Sequence, residues 1–481
     1  MLSALLKPVR ALRLRYLPLL AVYFAYGALG IIDVTRDMWI KESLTLSAAE
    51  LAGLGVWLSL PWTMKIVVGA LADSVPILGS QRRSYILIGA ACTSAGLVVL
   101  AGAAGGWIGV TPDRLYLLGA LLIVTGTVIQ DVVADAMSAE VVPRSGRNGK
   151  PLPHALVRSE LAMVQVLGRL SLSLGILAVA GLSGVLAQFL ARETVFLLGL
   201  IIPAISVVGV VFVREEAVPR RPLDWKIVGG GFLFGAGVFG VAGAGLPYSQ
   251  ELIFALSMVV ITVMLAIVTR DIDPKTRRAL LCTTIIIFAF RATPSVGDGY
   301  FWWTLDVLKF DEAFYGVLRQ TGALIGFAAL WIFSRQLTEY PITTVLLWLA
   351  CAEALLTLPN IGLVYGLHHW TEATFGLGAR SIALIDTLAD SPLVHLSMVP
   401  LLALIAYHAP PGKRATWFAL MASLMNMALV AGQLETKYLN QIFVIQRGEY
   451  SELGVLLIMA TVISFILPVA AVLLFGRWTD R

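Results

Sequence analysis

Residues 61–88 read PWTMKIVVGALADSVPILGSQRRSYILI. Two apolar runs are joined by a short loop carrying Asp73, Arg82 and Arg83, and Lys65 lies inside the first run. Runs of this kind, flanked by further apolar sequence, predict helices that cross a bilayer. A charge placed in hydrocarbon is costly, so an ionisable residue there marks a functional position. Lys65 is therefore read as a working residue inside a spanning helix, and the loop as an exposed charged turn.

The rest of the chain agrees with that reading. Its 481 residues are 58% hydrophobic and only 14% charged, and the mean hydropathy is +0.85. A soluble domain carries about 25% charged residues, so the composition points to a polytopic membrane protein. Lys7, Arg10, Arg13 and Arg15 precede an apolar stretch long enough to span, which is read as the first span and not as a cleavable leader. Cys92, Cys282 and Cys351 all fall in apolar segments and do not suggest a disulfide framework. The net charge of +5 calls for no nucleic acid.

Spans are expected at 16–40, 47–71, 84–106, 114–140, 156–188 and 193–213, then at 227–246 and 250–270. A second set follows at 279–305, 313–334, 342–365, 389–408, 413–440 and 453–476, about 14 helices in all. With the N-terminus inside, 23 Lys and Arg fall on the cytoplasmic side and six on the other. That bias satisfies the positive-inside rule and puts both termini in the cytoplasm. Phe24-Ala25-Tyr26 and Trp39 recur as Phe288-Ala289-Phe290 and Trp303, and Gly168 recurs as Gly432 at the same offset. The expected domains are a six-helix half at 1–213, an inserted helix pair with cytoplasmic linkers at 214–278, and a second six-helix half at 279–481.

Several motifs resemble those of folate–biopterin transporters, a family of the major facilitator superfamily. Pro61, Trp62, Lys65, Asp73, Ser74, Pro76, Ile77, Gly79, Arg82, Arg83, Ser84 and Tyr85 fit its pattern around the loop between spans 2 and 3. The fourth span adds Asp131-Val132-Val133-Ala134-Asp135 and Glu140. The seventh adds Ala292-Thr293-Pro294-Ser295 and Tyr300-Phe301, and residues 400–426 follow the pattern through Pro410-Pro411-Gly412 and Asn426. The chain departs from it at Ala409, Arg414 and Ile66-Val67. The resemblance implies an all-α polytopic protein of major facilitator fold, two six-helix halves plus two inserted helices. It also implies a secondary transporter working by alternating access on a folate or pterin. In this superfamily, pairs between the loop after span 2 and span 4 latch a cytoplasmic gate, which gives Asp73, Arg82, Arg83, Asp135 and Glu140 that role.

The residues themselves suggest further roles. Lys65 and Asp131 lie about 12 Å and 13 Å from the cytoplasmic ends of their helices, a depth that allows them to pair. One reading is a structural ion pair. The other gives Lys65 a substrate carboxylate and makes Asp131 a proton carrier, since a buried carboxylate beside a lysine has a tunable proton affinity. Asp135, one turn from Asp131, is expected to meet Arg82 or Arg83. Arg169 and Arg291, about 20 Å and 18 Å deep, offer bidentate donors for an anionic solute. The alternative pairs Arg169 with Asp33 and Arg291 with Asp298. Asp33 and Asp298 are second choices for proton coupling, with Arg36 neutralising one of its neighbours Asp33 and Asp37. Trp62 and Phe301 are the best candidates to stack a flat heterocycle, although membrane tryptophans commonly anchor at interfaces.

No Walker A motif, zinc spacing or Ser/His/Asp arrangement is present, so no enzyme, cofactor or metal is expected. His368-His369 is the one adjacent histidine pair. The expected partners are a small anionic solute, the lipid bilayer and protons as coupling ion (a symporter). The protein is read as a monomer of a bacterial inner membrane. Two other readings stay open at this point: a muropeptide-type permease using the same charges, and a non-transporting assembly or receptor protein on a transporter scaffold.

Overall fold

A computed structural model describes residues 12–143, 153–211, 246–270, 272–333, 342–389 and 414–479, with isolated positions elsewhere. The regular structure among these residues is helical. The helices are α1 (Leu17–Ala28), α2 (Asp33–Ser43), α3 (Ala48–Thr63), α4 (Lys65–Ser74), α5 (Arg83–Ala104), α6 (Pro112–Glu140), α7 (His154–Phe189), α8 (Arg192–Leu198) and α9 (Ile201–Val211). They continue as α10 (Ser249–Val268), α11 (Pro274–Arg291), α12 (Asp298–Asp306), α13 (Glu312–Phe333), α14 (Ile342–Leu356), α15 (Leu358–Val364), α16 (Leu367–Phe375), α17 (Arg414–Ile442) and α18 (Leu453–Phe475). Nine helical stretches among the described residues are long and apolar enough to cross a membrane. The expected spans at 227–246 and 389–408 and the linker at 214–226 lie largely outside the described residues.

Several expected spans are interrupted. The first passes through a 3-10 turn at Leu29–Ile32. The second breaks at Met64, three residues after Pro61, whose ring removes a backbone donor from α3. The seventh stops at Arg291 and resumes at Asp298, after Pro294 and after Gly297 at φ 77°. Such breaks occur at membrane depth where other protein groups satisfy the freed backbone. Here the Thr436 hydroxyl accepts from the Ser295 amide at 2.9 Å, and Asn440 Nδ2 donates to the Val296 carbonyl at 3.1 Å.

The chain forms two compact units, residues 1–44 with 64–233 and residues 45–63 with 234–481. In the first unit, α5 and α6 approach backbone to backbone. A Cβ placed on Gly126 would lie 2.4 Å from the Gly89 carbonyl oxygen. Small residues of this kind let membrane helices meet closely where no hydrophobic effect drives them together. Its buried cluster joins Leu19 and Tyr23 of α1 to Ile86, Val133 and Leu167.

The second unit includes α3, whose Val56 is buried with Leu280, Ile287, Trp417 and Leu424. α10, in the segment expected as an insertion, is fastened to α3 and α17 by polar contacts. Gln250 Nε2 donates to the Gly53 carbonyl at 3.0 Å, and a Cβ on Gly53 would sit 2.9 Å from that nitrogen. Lys437 donates to Gln250 at 2.9 Å and to Glu251 at 2.7 Å, and Tyr438 donates to Glu251 at 2.7 Å. Lys437, which lies within the expected span 413–440, thus ties α10 to α17.

Candidate functional site

The first unit gathers most of the charged residues singled out in the sequence. Lys65 opens α4 and its ammonium lies 2.5 Å from Asp131 Oδ2 on α6. Asp131 is 8% exposed. Its membrane-depth charge is therefore balanced by a direct partner, which is the arrangement that makes burial of two charges tolerable. One turn along α6, Asp135 accepts a hydrogen bond from the Tyr23 hydroxyl of α1 at 2.6 Å. The expected meeting of Asp135 with Arg82 or Arg83 does not occur, because α6 turns this carboxylate toward α1.

Arg169 of α7 is exposed and makes no hydrogen bond or ion pair among the described residues. It lies within electrostatic range of Tyr23, Tyr26 and Asp135. Its neighbour Gly168 is the seat of the Tyr23 ring, for a Cβ there would lie 2.8 Å from Tyr23 Cε2. The alternative pairing of Arg169 with Asp33 does not form. Asp33 instead meets Arg36 at 3.0 Å, and Arg36 also holds Asp37 at 2.9 Å. Arg36 therefore neutralises both neighbours, not one.

Toward the end of α6, Arg82 forms a two-point pair with Glu140, Nη2 to Oε1 at 2.6 Å and Nε to Oε2 at 3.1 Å. Arg82 Nη1 also donates to the Ala72 carbonyl at 3.3 Å. The loop is shaped by Ser84 Oγ on the Ile77 carbonyl at 2.6 Å, by Tyr85 OH on the Leu71 and Val75 carbonyls at 3.0 Å, and by Gly79 at φ 79°. Arg83 is exposed. The side chain of Asp73 lies outside the described residues.

The second unit holds the remaining residues. Arg291, at the end of α11, is half-buried, and its Nε is buried without a hydrogen-bond partner among the described residues. Among those residues no ion pair joins it to Asp298, which begins α12 beyond the break. Phe301 meets Tyr315 edge to face with centroids 4.8 Å apart. The Trp62 ring is half-buried, and its carbonyl accepts from Asn426 Nδ2 at 3.1 Å. The His368 and His369 rings lie 4.0 Å apart, and no group of three metal-binding side chains occurs among the described residues.

Two polar groupings escape a reading of the sequence. Tyr23 carries no charge, and only its place beside the Phe24-Ala25-Tyr26 repeat hints at a special face. Asp386 accepts from Asn360 Nδ2 at 2.9 Å, and Asn360 accepts from Tyr300 OH at 2.8 Å. That chain of bonds joins three distant segments, so no local pattern announces it.

Apolar helices of membrane-spanning length, several of them interrupted, make up both units. Solved structures agree on the fold. A POT family transporter in complex with a thioalcohol-conjugated peptide superposes with a TM-score of 0.68 at 14% identity, covering 99% of this chain and 100% of that one. The peptide transporter POT in complex with sulfate gives 0.61 at 17% identity, covering 99% of this chain and 96% of that one.

The chain belongs to the BT1 family, whose model matches residues 27–480. It is similar to the folate-biopterin transporter of Synechocystis sp., 26% identical over 463 residues that cover 94% of this chain and 80% of that protein. It is also similar to folate transporter 1 of Plasmodium falciparum, 20% identical over 430 residues, covering 89% and 73%. The protein is an integral, multi-pass membrane transporter.

Proposed function

We propose that the transported solute is a folate or pterin, and that transport runs by alternating access coupled to protons. The observation that carries the reading is the cluster of α1, α4, α6 and α7: Lys65 paired to Asp131, Tyr23 bonded to Asp135, and Arg169 exposed beside them. The names of the Synechocystis and Plasmodium relatives support the substrate class.

In this reading, Arg169 takes the glutamyl carboxylate of a folate through its two-point donor edge. Arg291 supplies a second guanidinium suited to the same chemistry. Lys65 shares its charge between Asp131 and the solute. Asp131 takes a proton when Lys65 turns to the solute and returns it when the pair closes again, so that the substrate anion and the proton load together and leave together. Asp33 is held by Arg36 and is the weaker proton carrier. Trp62 and Phe301 offer faces for the pteridine ring. Arg82 with Glu140, beside Asp73 and Arg83, acts as the latch of the cytoplasmic gate, and Asp135, bonded to Tyr23, stands apart from it. We place the protein as a monomer in a bacterial inner membrane with both termini in the cytoplasm.

The test is a thermal-shift screen of the purified protein against folates, pterins, nucleosides and anhydromuropeptides. Stabilisation by folates or pterins alone is the expected result. Stabilisation by anhydromuropeptides alone would move the protein to the permease reading.

A further inference from the structure

The first unit holds a partly open cavity of about 20 Å³ whose lining includes Tyr23, Tyr26, Thr93, Gln130, Asp131 and Ser206. That is room for one water, which needs roughly 10–15 Å³ together with two to four polar partners. Two of the lining hydroxyls, Thr93 Oγ1 and Ser206 Oγ, are buried and find no hydrogen-bond partner among the described residues.

Thr35 and Thr283 also lack a partner among the described residues but do not line this cavity, and several other buried hydroxyls in these helices are bonded. A serine or threonine inside an apolar helix ordinarily donates back to the carbonyl one turn earlier. Thr127 does so to Ile123 at 2.8 Å, Ser257 to Ile253 at 2.8 Å, and Thr284 to Leu280 at 2.8 Å. Thr93 and Ser206 forgo that bond, although they are only 3% and 1% exposed. Space beside the Thr93 hydroxyl is kept by Gly126, where a Cβ would lie 2.4 Å from Oγ1. Buried polar groups are rarely left unpaired.

We propose that this cavity is a binding site for one ordered water, held by Thr93 and Ser206 and hydrogen-bonded to the Asp131 carboxyl group. Thr93 and Ser206 are then positioning residues for Asp131. The water gives Asp131 a second partner besides Lys65, so the carboxyl group stays solvated when the lysine moves. The charged and titratable groups around Asp131 are Lys65 from α4, Tyr23 and Tyr26 from α1, Asp135 on α6 and Arg169 from α7. From α5 and α9, Thr93 and Ser206 reach the cavity. The consequence for transport rests on the proton-coupled reading above, whereas the water site itself does not.

The experiment compares wild type with the Thr93→Val/Ser206→Ala double variant, in detergent for melting temperature and in liposomes for the pH profile of folate uptake. A bridging water makes removal of its holders destabilising, so the melting temperature falls by a few degrees and the pH midpoint of uptake shifts. If the hydroxyls hold nothing, methyl groups suit the site better, and an equal or higher melting temperature overturns the proposal. A lower melting temperature with an unmoved pH midpoint overturns the link to Asp131. Absence of folate uptake by the wild type would count against the functional reading, and the melting arm would still decide the water site.

Discussion

The Lys65 ammonium sits 2.5 Å from the Asp131 carboxylate across 66 positions of sequence, with the lysine side chain 26% and the aspartate side chain 9% exposed. The lysine is thus partly exposed while its partner is nearly buried. Removing one member of a buried pair leaves the other uncompensated, at a cost of about 3–5 kcal/mol. Partial exposure of Lys65 puts this pair toward the lower end. Lys65→Met and Asp131→Asn should each lower the melting temperature, and the double variant should recover most of the loss. Equal destabilisation by the double and the sum of the singles would show that the two do not act as a pair.

The Arg82–Glu140 pair is expected to matter for rates more than for stability. Glu140 is 55% exposed, so the pair is worth roughly 0–1 kcal/mol in isolation. Glu140→Gln should leave the melting temperature nearly unchanged while raising cytoplasmic cysteine accessibility. Arg82→Lys should act in the same direction, because an ammonium cannot reproduce the two-point geometry. Unchanged accessibility in both would reduce the loop to a topology signal.

Arg169 should discriminate between solutes. If it binds the glutamyl carboxylate, Arg169→Gln raises the folate KM by about tenfold or more, equivalent to about 1.4 kcal/mol of lost binding. The KM for biopterin, which has no carboxylate, should hardly move. Parallel loss for both solutes would assign Arg169 to structure or gating.

Much of this architecture is legible in the amino-acid sequence. Hydropathy locates the spans because a bilayer imposes about 20 apolar residues on every helix. The depth of Lys65 and Asp131 on their helices suggests the pair. Helix rotation is not legible, since an apolar sequence surrounded by lipid and protein gives little contrast between its faces. That is why charge counting gives Asp135 an arginine, whereas the residue meets Tyr23, a neutral partner that such counting cannot nominate. The breaks at Met64 and after Arg291 have their signals in Pro61, Pro294 and Gly297, but mean hydropathy along a span hides single residues. The tie between Lys437 and α10 is hidden for a different reason: it joins segments far apart in sequence through long side chains.

That tie gives a stability prediction. Lys437 bonds both Gln250 and Glu251 with its side chain only 17% exposed. Lys437→Met should destabilise the protein by about 1 kcal/mol, toward the low end of the cost of leaving a charged acceptor short of a donor, because Glu251 is only partly buried and keeps its bond from Tyr438. Adding Glu251→Gln should restore part of it. Proteolysis near α10 would report its undocking. No change in melting temperature or cleavage would show that apolar packing alone holds that helix.

A pH effect is expected outside the spans. The Phe314 amide and the Arg380 guanidinium hold the Asp311 carboxyl below the usual carboxylate range. A depressed folded-state value contributes stability above the unfolded pKa of about 4 and loses it as pH falls through the folded value. Asp311→Asn should therefore lower the melting temperature at neutral pH, and the gap from wild type should close on acidification below about 4. A gap that stays constant with pH would mean that the charge contributes nothing.

The central claim is that the Lys65–Asp131 couple joins solute movement to proton movement, and paired flux assays on Asp131→Asn test it most directly. In liposomes holding the variant, folate uptake driven by an imposed pH gradient is measured beside counterflow exchange, which requires no net proton transfer. The account predicts that Asp131→Asn loses pH-driven accumulation and keeps counterflow. Normal pH-driven accumulation by Asp131→Asn would contradict it.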